Sequence, residues 1–96
     1  MKIKEEFKYL KYFYDGYYNQ SYDDTLDDRF IDFKDLENDW WIQKLREDIR
    51  KLEQVFIQED IEKWIEIEAL VHEDSLRYLP FSFGEEFIKT AKRHLF

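Results

Sequence analysis

Residues 41–56, WIQKLREDIRKLEQVF, carry the clearest structural signal in this chain. Large apolar side chains recur there at steps of four, four, three and four residues, which places them on one face of an α-helix of about four turns. These residues are Trp41, Leu45, Ile49, Leu52 and Phe56. The opposite face carries charges at pairing distance, and we expect it to face solvent. It consists of Lys44, Glu47, Asp48 and Lys51. Asn38 or Asp39 is the predicted N-cap of this helix.

Two further helices are predicted before this segment. The first spans residues 3–14, and Gly16 permits a turn after it. Its apolar residues are Ile3, Phe7, Leu10 and Tyr14. The second begins after Ser21 as N-cap, with Asp23 and Asp24 in its first turn, where carboxylates interact favourably with the helix dipole. Its apolar face consists of Leu26, Phe30, Phe33 and Leu36.

Two more helices are predicted after a break near Gln58. The apolar residues of the first are Ile61, Trp64, Ile65 and Leu70. Residues 72–84, HEDSLRYLPFSFG, are expected to be irregular, because Pro80 disfavours helix at Leu79 and Gly84 permits unusual backbone angles. The last helix runs from about Glu85 to His94, and its expected buried residues are Phe87, Ile88, Ala91 and Leu95.

The composition agrees with a helical protein. Apart from RYLPFSF, residues 77–83, no segment suggests a strand, and the chain has only two glycines and one proline, which favours helices joined by short loops. Hydrophobic residues make up 44% of the chain and aromatic residues 20%, so large rings can supply the buried area of a small core. We therefore predict an all-α fold, a single compact bundle of four or five helices that comprises residues 1–96 as one domain.

Several classes of protein are excluded or disfavoured by composition. The chain has no cysteine, which excludes disulfides and thiolate metal sites. The segment MKIKEEFKYLKYFY has no uncharged apolar run, so we expect no secretory signal, and no segment has the roughly 18 apolar residues of a membrane span. We therefore expect a cytoplasmic protein. The net charge of −8 argues against direct binding to nucleic acid or anionic lipid.

The negative charge is concentrated in one part of the sequence. Residues 15–39 hold nine acidic and two basic residues, a net charge of −7, and six of the seven tyrosines lie between positions 9 and 22. Such a run often only keeps a small protein soluble, and the tyrosines can cover the ends of a bundle. Because self-repulsion makes the cluster costly, we interpret it instead as a surface that binds a basic protein partner. The predicted contact residues are Tyr17, Tyr18, Tyr22, Asp23, Asp24, Asp27, Asp28, Asp32 and Asp35.

Metal binding and catalysis have weaker support. The segment DDTLDD, residues 23–28, is superficially like an aspartate-rich magnesium motif, and a helix would place Asp24 near Asp28 and Asp23 near Asp27. A metal cage usually needs oxygen ligands from several elements, so we expect a solvated acidic face and no metal site.

Neither histidine nor serine forms a recognisable catalytic motif. His72 follows Glu68 by four residues but has no second histidine nearby, and His94 is expected at the C-terminal end of the last helix, where positive charge is favourable. No glycine elbow surrounds Ser21, Ser75 or Ser82. We expect a protein that is not an enzyme and needs no cofactor.

The order of segments along the chain is also informative. KYLKYFYDGYY (residues 8–18) is followed by NQSYDD (19–24), RFIDF (29–33), IQKLREDIRKLEQVF (42–56) and LRYLPFSFGEEFI (76–88). This order resembles the small immunity proteins of bacterial contact-dependent growth inhibition systems, one group of which combines an N-terminal aromatic and polar signature with a central pair of helices and a late proline loop. In this resemblance Tyr12-Phe13 takes the place of the aromatic pair, and Asn19-Gln20 and Tyr22-Asp23 stand near the polar part.

The resemblance implies a cytoplasmic inhibitor that binds one cognate toxin domain and blocks its active site or substrate groove. Such toxins are often nucleases with basic clefts, and an acidic face would then mimic the phosphate backbone. Two alternatives stay open. A small adaptor that self-associates through its aromatic residues would form a concentration-dependent dimer, and a metal-dependent enzyme would be stabilised by magnesium, manganese or calcium.

Overall fold

The computed structural model describes residues 3–18, 25–73, 75 and 77–96, and these residues form helices and no strand. The helices are α1 (Ile3–Glu6), α2 (Lys8–Gly16), α3 (Leu26–Leu36), α4 (Asp39–Ile57), α5 (Ile61–His72) and α6 (Phe81–Leu95). Helix α4 packs against α2, α5 and α6, while α3 packs on α6 and α1 packs on α5. The predicted all-α bundle is confirmed.

Helix α4 is the helix that the sequence pattern predicted best. The Asn38 side chain accepts a hydrogen bond from the Trp41 N–H at 3.1 Å, so Asn38 is the N-cap. Leu45, Ile49 and Leu52 are fully buried, as their spacing predicted. With three helices packed around it, α4 is the central element of the core.

Asp48 was predicted to face solvent, and this is wrong, since it is only 1% exposed. Its Oδ2 atom accepts hydrogen bonds from the N–H groups of Tyr9, at 3.0 Å, and Leu10, at 2.9 Å. Both donors lie in the first turn of α2, and Phe7, which precedes that helix, has no polar side chain to cap it. Asp48 therefore caps α2 from another helix. Charge spacing alone could not reveal this role, because it depends on a contact 38 residues away.

Lys51 lies one turn after Asp48 on α4 and completes the same junction. Its Nζ atom is 3.2 Å from Asp48 Oδ1 and also donates a hydrogen bond to the carbonyl oxygen of Glu6, the last residue of α1. The predicted single helix over residues 3–14 is thus divided at Phe7. Asp48 holds the start of α2, and Lys51 holds the end of α1.

The start of α3 differs from the prediction that Ser21 is its N-cap. Thr25 is the N-cap: its Oγ1 accepts the Asp28 N–H at 3.1 Å, and Asp28 Oδ2 accepts the Thr25 N–H at 3.5 Å. This reciprocal pair is a capping box. The acidic residues in the first turn are therefore Asp27 and Asp28. Residues 19–24, which include Ser21, lie outside the described residues.

Helix α6 begins at Phe81 rather than near Glu85, because Pro80 serves as its N-cap with extended backbone angles. Gly84 therefore lies inside the helix, and its predicted role in an unusual backbone conformation is wrong. A Cβ atom at this position would lie 2.8 Å from Phe56 Cδ1 and 2.8 Å from Trp64 Cη2. Glycine is required here because two aromatic rings approach the backbone.

Just before α6, hydrogen bonds to side chains of α2 and α5 hold Tyr78 and Leu79. Trp64 Nε1 donates to the Leu79 carbonyl oxygen at 2.8 Å, and Glu68 Oε2 accepts the Leu79 N–H at 3.3 Å. Tyr14 Oη donates to the Tyr78 carbonyl oxygen at 3.3 Å. Leu79 is buried between these anchors, so this part of the loop is held firmly against α2 and α5.

The apolar faces of two helices differ in part from their predictions. All four residues predicted to be buried in α6 are buried: Phe87, Ile88, Ala91 and Leu95. On α5, however, Ile65 is 58% exposed, and Ile67 and Val71 are buried instead. On α3, Phe30 and Phe33 are buried as predicted, whereas Leu36 is 74% exposed. Ile65 and Leu36 therefore lie outside the core, and burial does not explain why these positions are apolar.

We expect Asp48→Ala to lower the free energy of unfolding by about 2–4 kcal/mol, because two backbone donors lose their acceptor and Lys51 loses its partner. Urea denaturation followed by circular dichroism measures this change. The matched control is Glu47→Ala, at the exposed neighbouring position, for which we expect a change within about 0.5 kcal/mol. Equal unfolding midpoints for the two variants would show that Asp48 does not support the α1–α2 junction.

Gly84→Ala should destabilise the protein by about 1–3 kcal/mol, because the added methyl group displaces the Phe56 and Trp64 rings. The steric cost outweighs the gain in helix propensity of about 1 kcal/mol that alanine brings. Gly16→Ala is the control, since a Cβ there meets nothing within 4 Å. Thermal unfolding of both variants tests the difference, and a Gly84→Ala protein as stable as Gly16→Ala would contradict it.

Candidate functional site

The outer side of α3 carries a row of carboxylates mixed with apolar side chains. Asp28, Asp32 and Asp35 follow one another at steps of four and three residues, which places them on one side of the helix. We call this row, with the exposed apolar residues beside it, the acidic face. It consists of Asp28, Ile31, Asp32, Asp35 and Leu36.

The carboxylates of the acidic face differ in their partners. Asp32 Oδ2 lies 2.6 Å from Arg29 Nη2, so its charge is partly neutralised. Asp28 and Asp35 are exposed, and within the described part of the chain neither forms an ion pair. Asp35 can meet a cation from outside, and Asp28 can do so through the carboxylate oxygen that does not accept the Thr25 N–H.

Asp27 was predicted to belong to this surface, but its side chain is directed at α6. Asp27 Oδ1 lies 2.5 Å from Arg93 Nη2 and 2.6 Å from His94 Nε2. Hydrogen bonds from Arg93 and His94 lower the pKa of the Asp27 carboxyl below its ordinary value. His94 lies in the last turn of α6, as predicted, and its ring stacks on Phe30. Asp27 therefore links α3 to α6 through these two contacts.

Two of the three predicted tyrosines are described, and they have different environments. Tyr18 is only 6% exposed, and its ring packs against Phe13 and Tyr14 with the Arg77 guanidinium 4.4 Å from its centre. It is a core residue, so it cannot fill a pocket on a partner. Tyr17 is half-buried and remains at the edge of the surface. Tyr22, Asp23 and Asp24 lie outside the described residues.

Next to the acidic face lies an aromatic cluster that sequence reasoning did not assign to the site. It consists of Tyr9, Tyr12, Trp40 and Trp41. Tyr12 stacks on Trp41 with 4.4 Å between ring centres, and Tyr9 meets Trp40 and Trp41 edge-on at 5.8 and 5.7 Å. Trp40 is 52% exposed. The exposure of Trp40 could have been predicted from the sequence. Trp41 lies on the apolar face of α4, and successive residues of an α-helix point about 100° apart.

Glu37 connects the acidic face to the aromatic cluster. Its Oε2 atom accepts hydrogen bonds from Tyr12 Oη, at 2.8 Å, and from Tyr17 Oη, at 2.5 Å. Glu37 directly follows α3, and Asp39 and Trp40 begin α4, so the two features meet at this short connection. Asp39 is exposed there, and among the described residues no cation pairs with it.

Both tyrosine hydroxyls at this junction have a raised pKa. The hydrogen bond to Glu37 raises the pKa of Tyr12 above 10.0, and burial, together with the hydrogen bond to Glu37, raises the pKa of Tyr17 much further. Both groups are therefore neutral hydrogen-bond donors at physiological pH. They fix the Glu37 carboxylate and with it the geometry of the junction.

The described residues contain no group of three His, Asp or Glu side chains that could hold a metal ion. His72 faces the Arg77 carbonyl oxygen at 3.1 Å, and Glu68 is bonded to the Leu79 amide. Ser75 is buried and donates to the Tyr18 carbonyl oxygen. Across the helices that the structure describes, none is both long and apolar enough to traverse a bilayer.

Comparisons with models of known protein families, with curated proteins and with solved structures gave no match to this chain. The properties of its own surface are therefore the basis for assigning a function. That surface combines exposed carboxylates with exposed rings and aliphatic side chains, a combination suited to binding another protein.

The Glu37 junction predicts how stability depends on alkaline pH. The pKa values of Tyr12 and Tyr17 are higher in the folded chain than the unfolded value of 10.0, so their contribution to stability is fully present below pH 10.0 and is lost as the pH rises above it. Glu37→Gln removes the negative charge and should lower both pKa values. The ultraviolet absorbance of tyrosinate during a pH titration measures the change.

Glu53→Gln is the control for that titration, because Glu53 pairs with Lys92 on another part of the molecule. It should leave the tyrosine titration unchanged. If Glu37→Gln also gave the wild-type titration curve, the two hydrogen bonds to Glu37 would not be controlling these hydroxyls.

Proposed function

We propose that this chain is a toxin-neutralising immunity protein that acts in the cytoplasm by stoichiometric binding to one basic toxin domain. One observation carries the proposal: apolar side chains are exposed among carboxylates that pair with no cation in the part of the chain that the structure describes. Leu36 and Trp40 are the most exposed of these side chains and directly follow Asp35 and Asp39 in the sequence. The resemblance in segment order to immunity proteins supports the same function.

The acidic face explains how a partner would be attracted. Most of the net charge of −8 lies in residues 15–39, and the exposed carboxylates of Asp28 and Asp35 belong to it. A concentrated negative field accelerates encounter with a basic surface and disfavours acidic partners. Residues four apart on a helix are separated by about 6 Å along its axis, so the row can present carboxylates where a nuclease cleft binds successive phosphates.

The apolar side chains explain how the partner would be held. A half-exposed tryptophan with a fixed orientation is a typical centre of binding energy in a protein interface. Trp40 is fixed on one side by Tyr9 and Trp41. Leu36 and Ile31 extend the apolar area along α3, and Tyr17 borders it.

The proposed contact residues therefore differ from the set expected at first. Asp28, Asp32, Asp35 and Tyr17 remain in it, and Tyr22, Asp23 and Asp24, which lie outside the described residues, stay predictions. Tyr18 is left out because it is buried, and Asp27 because it is engaged by Arg93 and His94. The added residues are Ile31, Leu36 and Trp40.

A self-associating adaptor is less compatible with this surface. Two copies that met through the acidic face would bring Asp28 and Asp35 of one copy close to the same residues of the other. Like charges in an interface cost several kcal/mol. A basic partner removes that cost, which favours the inhibitor over the adaptor.

Growth of cells tests the proposal directly. Each reading frame beside the gene of this chain is expressed alone and together with it. We expect one neighbour to stop growth, this chain to restore it, and the purified pair to elute as a one-to-one complex. Rescue by a metal-dependent reaction, without a complex, would contradict inhibition by binding.

Within such a complex, Asp28→Lys combined with Asp35→Lys should slow association at least about tenfold at low salt and change dissociation little. Trp40→Ala should instead speed dissociation by about tenfold or more. Surface plasmon resonance at two salt concentrations separates the two effects. The lysine variant keeps the bond from the N–H of residue 28 to Thr25 Oγ1 but loses the one from the Thr25 N–H to Asp28 Oδ2, so its helix content is compared with that of the unchanged chain by circular dichroism.

The matched control is Glu85→Lys with Glu86→Lys, which changes the net charge equally at exposed positions on α6. It should slow association far less. Equal effects of the two double variants would mean that only total charge matters and that α3 is not the contact surface.

A further inference from the structure

Helix α5 exposes a second apolar row, distant in the fold from the acidic face. Ile61, Ile65 and Ala69 are exposed and spaced four residues apart, so they form a line along one side of the helix. Beyond them stands Tyr78, which is 61% exposed. We call this row, with Tyr78, the α5 face. None of its side chains belongs to the surface proposed to bind a toxin.

The α5 face contains two shallow hollows that are open to solvent. The first, of about 300 Å³, is lined by Ile65, Glu68, Ala69, His72 and Tyr78. A second hollow of about 340 Å³ lies on the other side of Ala69 and is lined by Ile3, Lys4, Glu66, Ala69, Leu70 and Glu73. The small Ala69 side chain lies between the two, where another backbone can approach closely.

The walls of the first hollow are held in place before any partner binds. The Tyr78 ring stacks on His72 with 4.0 Å between ring centres. The next residue, Leu79, is buried and anchored through its N–H to Glu68 and through its carbonyl oxygen to Trp64. A preformed wall lowers the entropic cost of binding.

The charges around the α5 face are mostly negative. Glu62, Glu66 and Glu73 are exposed along it, and in the described ranges no cation pairs with Glu62 or Glu66. The nearby cations in the described part of the chain include Lys4, which lines the second hollow, Lys63, whose Nζ is held 3.1 Å from Glu6 Oε2, and Lys11, whose Nζ lies 3.5 Å from Glu73 Oε1. The rim therefore favours a partner with positive charge beside its apolar residues.

We propose that the α5 face binds an amphipathic helix of a partner protein, with apolar residues at i, i+4 and i+8 and lysine or arginine on both sides. The exposed row from Ile61 to Ala69 is about 12 Å long, which matches two to three turns of such a helix. A second copy of this chain fits poorly, because two α5 faces would bring Glu62 and Glu66 together with their equivalents. A basic helix satisfies both the apolar row and its rim.

This surface can be occupied together with the acidic face. Helix α3 packs on α6, whereas α5 packs on α1, α2 and α4 and makes only a smaller contact with α6, so the exposed sides of α3 and α5 do not adjoin directly. A partner on α5 therefore does not need to displace a toxin on α3. The inference is independent of the proposed function.

A labelled synthetic peptide of about four helical turns tests the inference, with leucine at i, i+4 and i+8 and lysine at the flanking positions. Fluorescence anisotropy compares it with a scrambled peptide of the same composition. We expect the patterned peptide to bind at least about tenfold more tightly. Equal binding of both peptides, or of neither, would overturn the proposal, because unspecific charge attraction alone does not require the α5 face.

Variants locate the binding. Ile65→Asp should weaken the patterned peptide about tenfold or more, while Phe96→Asp, at an exposed apolar residue after α6 that belongs to neither proposed surface, should leave binding unchanged. Glu62→Lys with Glu66→Lys should reverse the preference towards a peptide with glutamate in place of lysine. Equal loss from Ile65→Asp and Phe96→Asp would show that the peptide does not bind specifically to the α5 face. If sedimentation showed a dimer that Ile65→Asp abolishes, the α5 face would bind a second copy of this chain. That result would also overturn the proposal.

Discussion

The buried carboxylate of Asp48 is the contact on which the arrangement of the N-terminal half depends. Burial raises the pKa of Asp48, while hydrogen bonds from Leu10 and the charge of Lys51 oppose that rise. The cost of burying the charge is offset because the same carboxylate caps α2. By fixing α2 against α4, this contact also brings Tyr9 and Tyr12 onto the tryptophans that begin α4. The fold and the candidate surface therefore share one polar anchor.

Periodicity predicted those parts of the fold in which apolar spacing decides burial. The faces of α4 and α6 were readable because Leu45, Ile49, Phe87 and Ala91 follow helical steps without interruption. Helix ends were less readable. Ser21 and Thr25 are both suitable caps, and only the reciprocal bond between Thr25 and Asp28 selects one of them. The break at Phe7 leaves no local signal either, since the groups that hold it lie on α4.

The candidate site could be predicted only in its general character. Net charge is found by counting acidic and basic residues, so the concentration of carboxylates in residues 15–39 was visible in the sequence. Which of them remain free depends on pairing in three dimensions, as Asp27 shows by its contacts with Arg93 and His94. Whether a tyrosine is buried also depends on the three-dimensional packing: Tyr18 is a core residue, whereas Tyr12 lies at the surface. Trp40 was overlooked since its neighbour Trp41 fits the apolar pattern.

The tight contact at Gly84 also has a consequence for sequence variation. Phe56 belongs to α4, Trp64 to α5 and Gly84 to α6, so three helices meet where one hydrogen atom occupies the place of a side chain. In homologous chains we expect these three positions to covary. A larger residue at position 84 should occur together with a smaller one at position 56 or 64, and aromatic residues at both should be accompanied by glycine. An alignment in which alanine or serine at position 84 coexists with both rings would show that the helices can separate at this point.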